Sequence, residues 1–300
     1  MTDMIGFIGA GALGGAMVRS LLRSGLKLMV FDTNDAARRR MAEAGAVIAP
    51  SARAVAEACE IVFACLPAPA ISVAVAAEIA GAGNLRILVE CSTLGVKTMR
   101  EIAATMAGHD IAVLDAPITG ASGGSHGVDS GAFSLICAGT DDVFDRIRPI
   151  LARMTSKIHR VGTEPGMAQI AKVINNALSI TALTVSCEAI VMGVKAGLDA
   201  KGLIDAINDG SGRNSATVDK FPRSILQRNF ASPMSIGLKD MQLYMETIHD
   251  AGLPAPIGAT VMEIWNAAYA QNPKRGYSSI VEYFEQWAGI QVKGVEVKGQ

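Results

Sequence analysis

Along the first half of the chain, short apolar runs alternate with longer stretches of helical periodicity. The runs at residues 4–8, 27–31, 61–65, 87–90, 112–115 and 134–138 are nearly all apolar, as strands buried on both faces are. Between most of them, residues 13–23, 36–44, 52–58 and 98–107 carry helical patterns. This alternation predicts an α/β fold, with an N-terminal Rossmann-type doubly wound parallel sheet covered by helices on both faces. Past about residue 162 the strand pattern stops. One long helix is expected from 166 to about 196, then helical segments near 200–209, 219–228, 237–251, 256–270 and 279–289. The expected division is a sheet domain over 1–163, an all-α domain over 164–290 joined by the long connecting helix, and a tail over 291–300.

The composition narrows the class without changing that picture. Half of the 300 residues are apolar and only 5% aromatic, so aliphatic side chains and methionine must fill the interior. A net charge of −1 gives no basic footprint for nucleic acid or an anionic membrane. The apolar stretch at 170–194 is broken by Lys172, Asn175, Asn176 and Glu188, which fits a buried helix of a soluble protein better than a membrane span. No charged–apolar–small pattern opens the sequence, so nothing argues for secretion. The five cysteines are scattered without metal-ligand spacing and the four histidines are isolated. This pattern suits reduced thiols and a cytoplasmic location, with no metal.

The candidate chemistry begins at the first turn. Gly9-x-Gly11-x-x-Gly14 follows a strand, opens a helix, and is succeeded by a second strand ending in Asp32. In such a unit the first glycine makes the tight turn, the second lets backbone approach a pyrophosphate, and the third lets helix and strand pack closely. The N–H groups around Gly11, Ala12, Leu13 and Gly14 then face the phosphates. A carboxylate at Asp32 accepts from ribose hydroxyls and repels a 2′-phosphate, so the expected cofactor is NAD rather than NADP. Further turns at Leu66-Pro67 and Thr93 end later strands, where ligands of such sheets bind. The run Arg38-Arg39-Arg40 reads as a solvated helix face, or alternatively as a phosphate contact.

Two clusters address a substrate. Lys172, Asn175 and Asn176 lie three and four residues apart on the long helix, hence on one face. A lysine and two amides in an apolar helix either line a cavity, where burial suits an amine to proton transfer, or form a solvated stripe. The loop Asp115-Ala-Pro-Ile-Thr119-Gly120-Ala121-Ser-Gly-Gly offers small residues, a hydroxyl and free backbone N–H groups that can wrap a carboxylate. An ordinary crossover loop is the alternative.

Together these motifs resemble the β-hydroxyacid dehydrogenase family, which includes 3-hydroxyisobutyrate dehydrogenases and tartronate semialdehyde reductases. The similarity runs from Gly6 to about Trp287. It rests on the glycine-rich opening, on Asp115–Ala121, on Gly166 through Lys172 to Asn176, and on the pair Lys239-Asp240. The resemblance implies hydride transfer between NAD and a small 3-hydroxy acid. In it Lys172 is general acid/base, Asn176 aligns lysine and substrate, Thr119, Gly120 and Ala121 grip the carboxylate, and Asn175 and Lys239 lie by the substrate, Lys239 also by the cofactor.

Two departures stand out. Thr119 and Ala121 replace the usual serine and glycine, and the stretch 124–131 is a few residues longer than usual, leaving Ser125, His126 and Asp129 near the substrate entrance. Arg213 is either a second anion contact or an interdomain salt-bridge partner. An imine reductase on the same scaffold, or a dinucleotide-binding module without catalysis, would each be expected to lack the lysine. The apolar surface of the long helix also suggests a homodimer or homotetramer.

Overall fold

A computed structural model of the chain describes residues 4–120 and 125–294. The described part divides into two compact units, one up to Lys172 and one from Val173 on.

The first unit is built on β1 (Ile5–Ile8), β2 (Leu28–Phe31), β3 (Val47–Ile48), β4 (Ile61–Ala64), β5 (Ile87–Glu90), β6 (Ala112–Asp115), β7 (Ile118–Thr119), β8 (Ser134–Ala138) and β9 (Lys157–Gly162). The sheet order is β3-β2-β1-β4-β5-β6-β8-β7, with β9 also paired to β8. From β3 to β6 every pairing is parallel. β8 runs antiparallel to both β6 and β7, an exception to the all-parallel expectation. β6 and β7, separated only by Ala116 and Pro117, run in the same direction along β8, which returns against both after the short helix Ser125–Asp129.

The helices between the strands are α1 (Ala12–Arg23), α2 (Asp35–Glu43), α3 (Ala52–Ala58), α4 (Pro69–Ile79), α5 (Val96–Ala107), α6 (Ser125–Asp129) and α7 (Asp141–Leu151). Alternation along β1 shows both sheet faces covered. Phe7 packs in one buried cluster with Met17, Leu21 and Ile147, while Ile8 packs in another with Val55, Ile79 and Met99. The rings of Phe7 and Phe63 stack with centroids 5.9 Å apart, tying β1 to β4.

α8 (Met167–Lys195) begins in the first unit and continues into the second. It is the one helix among the described residues long and apolar enough to cross a membrane, and half of its most apolar window is buried within the protein. The second unit adds α9 (Ala200–Asp209), a π-helix (Ala216–Ile225), α10 (Met234–Asp250), α11 (Pro256–Gln271), a short 3-10 turn (Tyr277–Ser279) and α12 (Ile280–Ala288). Its core gathers Trp265, Phe221, Met241 and Ile280. The Trp265 indole N–H donates to Thr184 Oγ1 at 2.8 Å, satisfying the polar edge of a fully buried ring. The helix expected over 219–228 is wound as a π-helix instead. Pro222 lies inside it, and the wider turn accommodates a ring that would clash in an α-helix.

Candidate active site

The carboxyl ends of the parallel strands form one aligned edge. Gly9 N–H donates to Phe31 O, Cys65 N–H to Ile8 O, Cys91 N–H to Ala64 O and Ala116 N–H to Glu90 O, each within 2.8–3.0 Å. Each bond carries the ladder one residue past a strand end, so the turns after β1, β2, β4, β5 and β6 start at one level. This is the edge where open α/β sheets bind ligands.

At its first turn, Gly9 has φ +90° and a side chain there would run into the Cys65 carbonyl; one at Gly14 would run into the Gly9 carbonyl. Gly11 differs. Among the described residues nothing lies within 4 Å of where its Cβ would stand, so its bareness keeps a space open there. Gly11 is also the N-cap of α1, and among the described residues no side chain caps that end. Gly11, Ala12 and Leu13 are exposed, so the first-turn N–H groups face that open space. An uncapped helix N-terminus behind a bare glycine fits a pyrophosphate.

Asp32 sits directly after β2. Its Oδ2 accepts the Ala10 N–H and its Oδ1 the Asn34 N–H, both at 2.7 Å. Each oxygen keeps a lone pair for a ribose hydroxyl. Asn34 in turn caps α2, accepting from the N–H groups of Ala36 and Ala37. Of the arginine run, Arg39 and Arg40 are exposed, whereas Arg38 folds back, donating to the Asp32 carbonyl at 2.6 Å and pairing with Asp35. Leu66 is half-buried and Pro67 exposed, with the Leu66 N–H held by Ser92 Oγ at 2.7 Å. Thr93 is half-buried on the next turn.

In the loop expected to meet a carboxylate, Thr119 is half-buried at the end of β7 and Gly120 is exposed with φ +68°. Ala121 lies outside the described residues. Asp129 is not an open entrance group. Arg19 Nε and Nη2 on α1 hold its carboxylate at 3.1 and 2.5 Å, and Arg23 donates to its carbonyl at 2.7 Å. Those two arginines hold its carboxyl below the usual range. The extra residues thus form α6, docked on α1, with His126 exposed.

Lys172 is half-buried in the second turn of α8. Beneath that turn lies a buried polar cluster that sequence inspection did not single out. Asp115 Oδ2 accepts the N–H groups of Gly166 (2.9 Å) and Gln169 (3.2 Å), and Oδ1 accepts Gln169 Nε2 (2.7 Å). Gln169 Nε2 also donates to Ser92 O at 3.1 Å, while its Oε1 accepts the N–H groups of Leu94 (2.8 Å) and Gly95 (3.2 Å). Burial pushes the Asp115 carboxyl up to about 6 despite these bonds. Glu90, buried at the end of β5, is pushed up to about 7, again chiefly by burial. The spacing of Gln169 three residues before Lys172 puts it on a neighbouring face of the helix but does not reveal its partner Asp115, which lies 54 residues away in sequence.

In the second unit, Asn176 Nδ2 donates to Asp240 Oδ2 at 2.7 Å, and Asn175 Nδ2 to Asn176 Oδ1 at 3.2 Å. Lys239 Nζ stands 3.2 Å from Asp240 Oδ1. The Asn176 amide is therefore held from both ends. Arg213 is exposed in a turn pinned by Asn214, whose Oδ1 accepts from Ala216 and Thr217 N–H and whose Nδ2 donates to Ser186 Oγ.

Comparison with known proteins agrees with this geometry. Residues 4–162 match the NAD binding domain of 6-phosphogluconate dehydrogenase. Residues 166–284 match the family described as NAD-binding of NADP-dependent 3-hydroxyisobutyrate dehydrogenase. A 3-hydroxyisobutyrate dehydrogenase of Pseudomonas aeruginosa is 30% identical, over 95% of this chain and 99% of that one. A 2-(hydroxymethyl)glutarate dehydrogenase of Eubacterium barkeri is 29% identical over 97% of each. The solved 3-hydroxyisobutyrate dehydrogenase of Mycobacterium tuberculosis with L-serine superposes with a TM-score of 0.84 at 26% identity, covering 94% of this chain and 99% of that one. With an uncapped, glycine-lined helix end at one strand tip and matches over both halves of its length, the chain is an NAD-binding member of the β-hydroxyacid dehydrogenase family.

Proposed function

We propose that the chain interconverts a small 3-hydroxy carboxylic acid and its semialdehyde or keto acid, with Lys172 as the general acid/base. Held at the glycine-rich turn, NAD would supply the acceptor for the hydride leaving the hydroxyl-bearing carbon. The hydroxyl proton goes to the Lys172 amine on oxidation and returns from it on reduction, leaving or restoring a carbonyl. Gly9, Gly11, Ala12, Leu13 and Gly14 would hold the pyrophosphate, Asp32 the adenosine ribose, and Leu66, Pro67 and Thr93 the remainder of the cofactor. Thr119, Gly120 and Ala121 would hold the substrate carboxylate, which fixes the carbon presented for transfer. Asn176, one turn past Lys172 on the same helix, would align the reacting groups. Asn175, Lys239 and Arg213 complete the proposed substrate contacts.

The observation that carries this reading is the placement of Lys172. It is half-buried on a helix whose first turn is bound to Asp115, the residue that ends β6 and leads into the Thr119 loop. The relatives named above act on 3-hydroxyisobutyrate and 2-(hydroxymethyl)glutarate by their names, both hydroxy acids. The test is a screen by NADH absorbance over 3-hydroxyisobutyrate, 3-hydroxypropionate, glycerate, serine, threonate and dicarboxylic relatives. Turnover of at least one 3-hydroxy acid is expected; silence across the series would refute the reading.

The assembly we propose is a homodimer or homotetramer in the cytoplasm. Ile174, Leu178, Val185 and Met192 lie exposed along α8, at 45%, 68%, 54% and 65% of full accessibility. Their spacing of four and seven residues places them on one stripe, a surface suited to a second copy. The five cysteines are free thiols, four of them buried, in keeping with a reducing compartment.

A further inference from the structure

Gln169 is fully buried and its side chain joins two separate parts of the proposed site, the turn after β5 and Asp115. Its Oε1 takes two N–H groups from the turn after β5, at Leu94 and Gly95. Its Nε2 gives one proton to Ser92 O in that turn and the other to Asp115, the last residue before the substrate loop. Its own N–H and that of Gly166 return to the same Asp115 carboxylate. Every donor on the amide is used and its carbonyl oxygen takes two bonds, so there is one arrangement in which the cluster is satisfied. No ligand group is needed to complete it, and Lys172 follows three residues later on the same rigid helix.

From this we infer that Gln169 is the positioning residue of the site: clamped by Asp115 and the 92–95 turn, it fixes the depth and rotation at which α8 presents Lys172. The inference rests on the reading of Lys172 as acid/base. Helix α8 is apolar and interchangeable packing alone would let it slide or rotate by fractions of a turn. The clamp selects one setting. A displacement of about 1 Å at a reacting group is enough to lower turnover roughly 100-fold, whereas the glycine-rich turn that would bind the pyrophosphate lies on other elements. When Gln169 is replaced, the 92–95 turn, which carries Thr93, loses its bonds to it, so NADH affinity falls as well but less than kcat.

The test uses three variants of the full chain and reads kcat with the most active hydroxy acid, together with NADH affinity by fluorescence. Gln169→Leu removes every polar contact of the side chain. Gln169→Glu keeps the acceptor for Leu94 and Gly95 but sets a carboxylate against Asp115. The double variant Asp115→Asn/Gln169→Glu exchanges donor and acceptor, restoring the side-chain bond between the two positions but not the bond to Ser92 O, which a carboxylate cannot donate. Expected is a loss of kcat of about 100-fold in both single variants, with NADH affinity lowered by no more than about tenfold. The exchange variant should recover at least about tenfold of the kcat lost in Gln169→Glu. That rescue keeps the proposal testable where Gln169→Leu fails to fold. Full kcat in a folded Gln169→Leu, or no recovery in the exchange variant, would overturn the clamp. Lys172→Ala run alongside separates the two claims. If it keeps its turnover, the lysine reading falls and the inference with it; if it is dead while Gln169→Leu is fully active, the clamp alone falls.

Discussion

The Asp32 carboxylate accepts the backbone N–H of Ala10 at 2.7 Å, across 22 residues of sequence. The acid that would read the ribose is thus bonded to the glycine turn that would read the phosphates, and neither can move without the other. Arg38, the nearest cation on α2, is engaged with the Asp32 carbonyl and Asp35.

The first prediction concerns this pair. Asp32→Ser should shift the NADP-to-NAD ratio of kcat/KM upward by about 100-fold, equivalent to roughly 3 kcal/mol of removed repulsion and lost ribose bonding. Steady-state kinetics with both cofactors check it, and a parent enzyme that prefers NADP would contradict the role given to Asp32. Because Ala10 and Asn34 lose their acceptor, the variant should also be less stable by about 1–3 kcal/mol.

Burial raises Glu90 from its ordinary 4.5 to about 7 and Asp115 from 3.8 to about 6. The folded state therefore holds more protons than the unfolded one between about pH 4 and 7. Stability from these groups is complete below their unfolded values and is lost as pH rises through their folded ones. For Glu90 the ceiling is about 3 kcal/mol. Glu90→Gln should raise the thermal midpoint at pH 8 relative to the parent and change it less at pH 5. Equal shifts at the two pH values would contradict ionisation of a buried carboxylate as the cause.

The exposed stripe on α8 yields a third expectation. Light scattering should give a dimer or tetramer for the parent, and Leu178→Glu, which sets a charge in the middle of the stripe, should weaken that assembly. A monomeric parent would remove the proposed interface. Leu178 is 68% accessible in the single chain, so the substitution disturbs no packing within it.

How much of this was legible beforehand follows from what each element owes to its own residues. β5, β6 and β8 stand at the expected residues because two-sided burial writes itself as an unbroken apolar run. α3 and α9 likewise match their patterns, each opened by a capping side chain, Ser51 and Asp199. β9 was missed because it is a largely exposed edge strand with Lys157, His159 and Arg160 in it. α4 was missed because it is apolar nearly all round, which leaves no face to detect. Of the site, the glycine turn, Asp32 and Lys172 carry local signals. The Gln169–Asp115 cluster does not: it joins residues 54 apart and becomes visible only once β6 and α8 are folded together. Asp129 shows the opposite error, since a polar residue in an extra loop reads as available until Arg19 is found holding it.

The account stands or falls on the amine at position 172. The direct measurement is kcat of Lys172→Ala with NAD and the preferred hydroxy acid, beside NADH affinity. Loss of a positioned general base predicts a fall of about 1,000-fold in kcat with NADH binding within about threefold of the parent. Turnover comparable to the parent enzyme would contradict it.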